Sequence, residues 1–302
     1  MSDLTKSQRY AWIIISLISA ILVVNGAIAV HAALGRPLEF DEIWTLSKYA
    51  SLPNWIDVFQ DITVPNNHIL NSLILQKVLS SGLFSASIVR ISSAVIPAAL
   101  TLPIVALLSR RLVKTTHSWP KHAAVQAMAC ALCASSPWFI RYAQTARGYA
   151  LQSMLITLLV YLLFVMYDKR EASPWSKRIT EIGAFSTTAC AVVHIPTSFV
   201  LCGIPWLIFG AITLRNQNYQ FKNTWSRYTG PICSGICTAI FSVGWLLEKS
   251  SQFKIAKDRV GTSANLWEKI EHGAQMPFTI FGAIPLIALI VLAVVSPSKK
   301  IL

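Results

Sequence analysis

The sequence has little charge. Only 13% of its 302 residues are Asp, Glu, Lys or Arg, whereas 54% are hydrophobic. Soluble globular domains carry about 25% charged residues, because their surfaces face water. The shortage argues against a soluble enzyme and against a disordered chain, which needs a polar composition. The sequence therefore predicts a polytopic, all-α membrane protein, in which each span uses about 20 mainly apolar residues.

Cysteine is absent from the polar segments. All six cysteines lie in apolar runs, which argues against disulfides and against a metal knuckle: Cys130, Cys133, Cys190, Cys202, Cys233 and Cys237. Cys130 and Cys133 have CxxC spacing, but their apolar neighbours indicate small hydrophobic residues of a helix.

Several functional motifs are also missing. The sequence has no Gly-rich phosphate loop, no HExxH and no GxSxG, so ATP-driven transport and two common hydrolase chemistries are unsupported. Acidic residues are confined to loops and span ends, whereas a proton pump needs them inside the membrane. The net charge of +13 is assigned to cytoplasmic loops rather than to nucleic-acid binding.

Apolar runs predict eight spans within one transmembrane domain over 1–302. The runs are 11–34, 88–109, 122–140, 150–167, 179–196, 198–214, 229–247 and 276–296. The two largest external segments are 35–87 and 248–275. The first includes an amphipathic stretch at 67–84, predicted as an interfacial helix on the outer face because it is too polar to face lipid.

Basic residues set the predicted orientation. With the N-terminus inside, the inner segments carry 15 basic and 4 acidic residues, and the outer segments carry 11 and 9. This bias agrees with the positive-inside rule. Both termini are therefore predicted to be cytoplasmic, and the short loops suggest a bacterial inner membrane with an active site on the periplasmic face.

Two adjacent acids follow the first span. Asp41 and Glu42 lie at a membrane–water boundary, where neighbouring carboxylates resist joint ionisation and one can serve as a base. The alternative is a pair of solvated loop acids. His68 opens the amphipathic stretch, and His194 ends the fifth run; each is either a ligand contact or a structural histidine.

Arginines lie on the predicted outer side, where the positive-inside rule does not expect them. Arg90 precedes the second span, and Arg141 and Arg147 follow the third span, with a turn expected between them. A planar guanidinium can clamp phosphate. The alternative is snorkelling to lipid headgroups.

Taken in order, these motifs resemble the GT-C superfamily of membrane glycosyltransferases. The similarity covers roughly residues 10–215. It rests on the acidic pair, on Pro65-Asn66-Asn67-His68-x-Leu, on Arg90-Ile-Ser-Ser-Ala, and on Arg-Tyr-Ala-Gln-Thr-Ala-Arg-Gly-Tyr-Ala-Leu from 141. The nearest branch contains the dolichyl-phosphate-mannose protein mannosyltransferases and the bacterial lipid A aminoarabinose transferases.

The resemblance implies sugar transfer, with inversion, from a polyprenyl-phosphate carrier to an acceptor on the outer face. Asp41 would be the general base and Glu42 would assist it. The arginines Arg90, Arg141 and Arg147 would hold the carrier phosphate, and His68, Tyr149 and His194 would complete the substrate site.

The expected partners are a lipid-linked sugar donor, membrane lipids, an unidentified acceptor and no nucleic acid. No cofactor is required, and a divalent metal is left open. The chain is shorter than typical relatives and lacks an acid between 141 and 149. The alternative is therefore a non-catalytic GT-C-like subunit with a membrane-protein partner.

Overall fold

The computed structural model describes residues 6–60, 68–112, 119–168, 173–195 and 198–216. Within these ranges every regular element is a helix. In chain order they are α1 (Lys6–Gly35), α2 (Phe40–Thr45), α3 (Trp55–Gln60), α4 (Ile69–Ser80), α5 (Ala86–Arg90), α6 (Ile96–Leu112), α7 (Trp119–Ala134), α8 (Pro137–Tyr142), α9 (Tyr149–Asp168), α10 (Pro174–His194) and α11 (Ser198–Asn216).

Two wide, π-type turns extend these helices. Leu46–Ala50 continues α2, and Ile91–Val95 joins α5 to α6 into one long helix. Pro97 follows the second turn, and because proline has no N–H it cannot bond the carbonyl four residues earlier. Such turns are frequent at functional sites, and the second one begins directly after Arg90.

Among the described residues, three segments are long and apolar enough to cross a membrane: Trp12–Gly35, Ala86–Leu112 and Tyr149–Tyr167. They match the predicted runs 11–34, 88–109 and 150–167. The run 122–140 is divided between α7 and α8, and the runs 179–196 and 198–214 form α10 and α11. None of these helices meets both the length and the apolarity of a candidate span. Three of the eight predicted spans thus correspond to candidate membrane helices, and 229–247, 248–275 and 276–296 lie outside the described residues.

Helix packing brings the site elements together. The helix α6 packs against α7 and α9, α1 packs against α7, and α9 also packs against α10 and α11. The largest core cluster joins α9, α10 and α11 around Leu159 and Val192, with Leu70 of α4 packed against it.

The stretch 67–84 does contain a helix, α4, but its polar side chains are not all exposed. Asn71 and Ser72 are fully buried beside Leu75, and α4 packs on α10 and on the turn after α2. The polar residues of 67–84 therefore include a buried polar face, which a purely amphipathic surface helix would not have.

Candidate functional site

The buried centre of the site is an ion pair between Glu42 and Arg90. Nε of Arg90 donates to Oε1 of Glu42 at 3.0 Å, and Nη2 donates to Oε2 at 2.6 Å. Both side chains are almost wholly buried. This two-point geometry is the strongest form of guanidinium–carboxylate contact.

Arg90 uses its remaining donors on the segment that follows α1. Nη1 donates to the carbonyls of Arg36 at 2.6 Å and Ala33 at 3.4 Å, and Nη2 donates to the carbonyl of Pro37 at 2.6 Å. An arginine has five N–H donors, so all five are bonded within the protein. The bonds of Arg90 therefore connect the end of the first candidate span to the start of the second.

Glu42 also reaches the loop before α9. Its Oε1 accepts the backbone N–H of Ala146 at 2.6 Å, and its Oε2 accepts that of Glu39 at 2.7 Å. Burial alone raises the pKa of Glu42, but the bonds from Arg90, Ala146 and Glu39 outweigh it, and the pKa lies below its ordinary value. Glu42 is thus held ionised.

These contacts bear on two predicted roles. Arg90 was expected to hold a carrier phosphate, but it is buried and has no unbonded donor to offer one. Glu42 was expected to assist catalysis, but both of its oxygens are bonded inside the protein. Removing two charges from water costs several kcal/mol per ion. This cost is offset here because all five N–H donors of Arg90 and both oxygens of Glu42 are hydrogen-bonded. The pair is structural.

The loop between α8 and α9 carries the arginine motif. The predicted turn between Arg141 and Arg147 is present, because α8 ends at Tyr142 and α9 begins at Tyr149. Gly148 closes the loop in the left-handed region, with φ of +74°. A Cβ there would lie 2.8 Å from Cε1 of His194 and 2.8 Å from Cβ of His68, so only glycine fits.

Two predicted histidines meet beneath this loop. The ring of His68 lies 5.2 Å from that of His194 and 4.5 Å, edge to face, from that of Tyr149, measured between centroids. Burial lowers the pKa of His68 well below its ordinary value, and His194 and Arg147 lower it further. His68 is therefore neutral at pH 7.

His194 and Asn71 bond the backbone of the loop. Nε2 of His194 lies 2.8 Å from the carbonyl of Gly148; because a carbonyl only accepts, this nitrogen carries the proton. Nδ2 of Asn71 donates to the carbonyl of Ala146 at 3.1 Å. Both side chains are fully buried, which fits the structural alternative for His194 better than a solvent-facing ligand contact.

The exposed part of the site is a second ion pair. Oδ2 of Asp41 lies 2.8 Å from Nη2 of Arg147, and the side chains are 51% and 28% exposed. Arg147 also lies over the ring of Tyr149, at 5.5 Å from its centroid. Asp41 and Arg147 are 106 positions apart in the sequence. They are the predicted site residues that the structure brings together at an accessible surface.

Arg141 occupies the last turn of α8. It is exposed and lies over the ring of Trp138, 5.8 Å from the centroid. Cation–aromatic contact of this kind fixes a guanidinium without using its N–H donors. Arg141 thus stays a candidate for anion binding.

No group of three or more His, Cys, Asp or Glu side chains that could hold a metal ion occurs in the part of the chain that the structure describes. Sequence reasoning missed Asn71, although it lies in the first turn of α4, three residues after His68. It also did not predict that the backbone N–H and carbonyl of Ala146 bond Glu42 and Asn71. Contacts of a backbone group leave no pattern in the sequence.

Comparison of the chain with known protein families, with curated proteins and with solved structures finds no match. The resemblance to the GT-C superfamily therefore stays a prediction.

Proposed function

We propose that the chain is an inverting glycosyltransferase that moves a sugar from a polyprenyl-phosphate carrier to an acceptor on the periplasmic face of a bacterial inner membrane. Asp41 acts as the general base, and Arg147 holds the phosphate of the carrier. Arg141 is the second candidate cation for that phosphate.

The observation that carries the proposal is the contact of Asp41 with Arg147. Asp41 follows the first candidate span, and Arg147 lies two residues before the candidate span that begins at Tyr149. A carboxylate and a guanidinium therefore meet where membrane segments end, and both remain accessible. A lipid carrier would present its phosphate at this level of the membrane.

The chemistry is a single displacement. The acceptor oxygen forms a bond to the anomeric carbon of the sugar while its proton passes to the carboxylate of Asp41. The bond from that carbon to the phosphate oxygen breaks, and its electron pair stays on the phosphate. Because inversion places the acceptor and the phosphate on opposite faces of the anomeric carbon, the 2.8 Å contact of Asp41 with Arg147 opens when the sugar binds. Arg147 then compensates the charge that develops on the phosphate, which is the interaction that should strengthen in the transition state.

The same ion pair favours one alternative, a non-catalytic membrane subunit. Asp41 and Arg147 neutralise each other at 2.8 Å, as two residues of a structural pair would. In that case neither residue acts on a substrate, and the surface around them contacts a membrane-protein partner.

The test is sugar transfer by the purified protein in lipid. Radiolabelled polyprenyl-phosphate sugars serve as donors and a membrane extract serves as acceptor. General-base catalysis contributes about 10²–10⁴-fold, so Asp41→Asn should lower transfer by at least about 100-fold. The matched control is Asp57→Asn, because Asp57 is bonded only to Asn54 in the described contacts and should not affect transfer.

Retained turnover in Asp41→Asn would remove Asp41 from the role of base. If folded wild-type protein transfers no sugar from any donor in the panel, the alternative of a non-catalytic membrane subunit replaces the proposal. Co-purification of a membrane partner is then the expected result.

A further inference from the structure

The residues on either side of Arg147, Ala146 and Gly148, have backbone groups bonded to side chains from three helices. The N–H of Ala146 donates to Glu42 of α2, and its carbonyl accepts from Asn71 of α4. The carbonyl of Gly148 accepts from His194 at the end of α10. These bonds lie one residue before and one residue after Arg147.

The anchoring also reaches the other member of the exposed pair. Glu42 is the neighbour of Asp41, and Ala146 is the neighbour of Arg147. The 2.6 Å bond from the N–H of Ala146 to the side chain of Glu42 therefore links the two segments that present the carboxylate and the guanidinium. Gly148 fits against His68, His194 and Asn71 with no space for a Cβ. The loop thus packs directly against the start of α4 and the end of α10.

We propose that Asn71 and His194 are positioning residues that fix the guanidinium of Arg147 against Asp41, and that they contact no substrate. The role of this geometry in sugar transfer rests on the proposed function; the positioning itself does not. Reacting groups held within about 0.5 Å of the productive geometry depend on such supporting bonds.

Burial supports positioning over ligand contact. Asn71 and His194 are both completely buried, whereas Arg147 is 28% exposed. Nδ2 of Asn71 and Nε2 of His194 bond loop carbonyls, whereas Oδ1 of Asn71 and Nδ1 of His194 have no partner among the described residues. A substrate at the surface would therefore meet Arg147 and Asp41, with the two anchors lying behind the loop.

The first test is backbone hydrogen–deuterium exchange over residues 143–150, measured by mass spectrometry on the full-length protein. His194→Leu removes the bond to Gly148, and His194→Gln keeps an N–H near the position of Nε2. We expect exchange at least about tenfold faster in His194→Leu, because the opening of a local unit limits exchange, and within about threefold of wild type in His194→Gln.

A second variant and a control protect the test against general unfolding. Asn71→Leu should also speed exchange in this loop. Gln126→Leu removes another side-chain bond to a backbone carbonyl, that of Ala106 at 3.2 Å, and should leave the loop unchanged.

Sugar transfer is the second readout. We expect kcat to fall at least about tenfold in His194→Leu and to recover in His194→Gln, because mispositioning by about 1 Å costs on the order of 10²-fold. If wild type transfers no sugar, the exchange result still decides the positioning, and only its role in transfer fails.

Unchanged exchange in both leucine variants would overturn the proposal. So would loss of folding in both of them while His194→Gln folds, because the two residues would then support the whole helix assembly rather than the loop.

Discussion

Oδ2 of Asp41 lies 2.8 Å from Nη2 of Arg147 at an accessible surface, whereas the adjacent Glu42 is buried against Arg90. Two neighbouring carboxylates thus face different surroundings. Glu42 is bonded to two other segments of the chain and stabilises them, while Asp41 keeps access to solvent. The structure therefore separates a structural acid from a candidate catalytic acid within one dipeptide.

Loss of the buried carboxylate should be costly. Glu42→Gln leaves the charge of Arg90 buried without its counter-ion, which typically costs about 3–5 kcal/mol. The matched control is the neighbouring exposed carboxylate: Asp41→Asn should cost about 1 kcal/mol or less. Denaturant unfolding in detergent, followed by tryptophan fluorescence, measures both. Equal stability of the two variants would show that the Glu42–Arg90 pair does not hold the fold together.

Gly148 should tolerate no side chain, and Gly82 provides the comparison. Both have φ near +73°, which costs an L-residue about 1–2 kcal/mol. Only Gly148 has neighbours where a Cβ would lie, at 2.8–2.9 Å, whereas Gly82 has none within 4 Å. Overpacking adds about 1–3 kcal/mol. Gly148→Ala should therefore destabilise the protein by about 2 kcal/mol more than Gly82→Ala. A difference near zero would mean that the loop is not seated as described.

The stability of the protein should fall as the pH is lowered through the range in which unfolded His68 binds a proton. Its pKa in the folded protein lies well below 6.5 because of burial. The unfolded chain therefore binds more protons below about pH 6.5, and stability present above that pH is lost as the pH falls.

His68→Phe removes this proton uptake. Between pH 7 and pH 5.5, the loss of unfolding free energy should be about 1 kcal/mol smaller in His68→Phe than in wild type. Between pH 7 and pH 8 the two proteins should change alike. An equal loss at low pH would show that folded His68 accepts a proton as readily as the unfolded chain does.

Continuous apolarity made some spans predictable. The runs 11–34, 88–109 and 150–167 lead directly to candidate membrane helices, because a long apolar stretch has few alternatives. The run 122–140 is instead divided: α7 ends at Ala134, and Pro137 begins α8. Proline favours the first turn of a helix and disrupts an interior.

Charge explains why the predicted run 179–196 does not form a candidate membrane helix. The helix α10 begins at Pro174 and contains Lys177, Arg178 and Glu181, so its first turns are polar. The predicted boundary between the runs 179–196 and 198–214 agrees with the structure, in which α10 ends at His194 and α11 begins at Ser198.

The roles of the site residues could not be separated by sequence alone. Asp41 and Glu42 are chemically similar neighbours, and what distinguishes them is a contact with Arg90, 48 residues away. Likewise, Asn71 meets Ala146 across 75 residues. Such pairings depend on how helices pack, which local patterns do not specify.

The most direct test of the Asp41–Arg147 site is sugar transfer by a charge-swapped protein. Asp41→Arg combined with Arg147→Asp restores an ion pair, so the free energy of unfolding should stay within about 1 kcal/mol of wild type. A swapped pair places the base and the phosphate-binding cation in each other's positions. We predict that the swapped protein folds and transfers no labelled sugar, like each single variant. Recovery of transfer in the swapped protein would contradict the assignment and show that the pair serves only to hold two segments together.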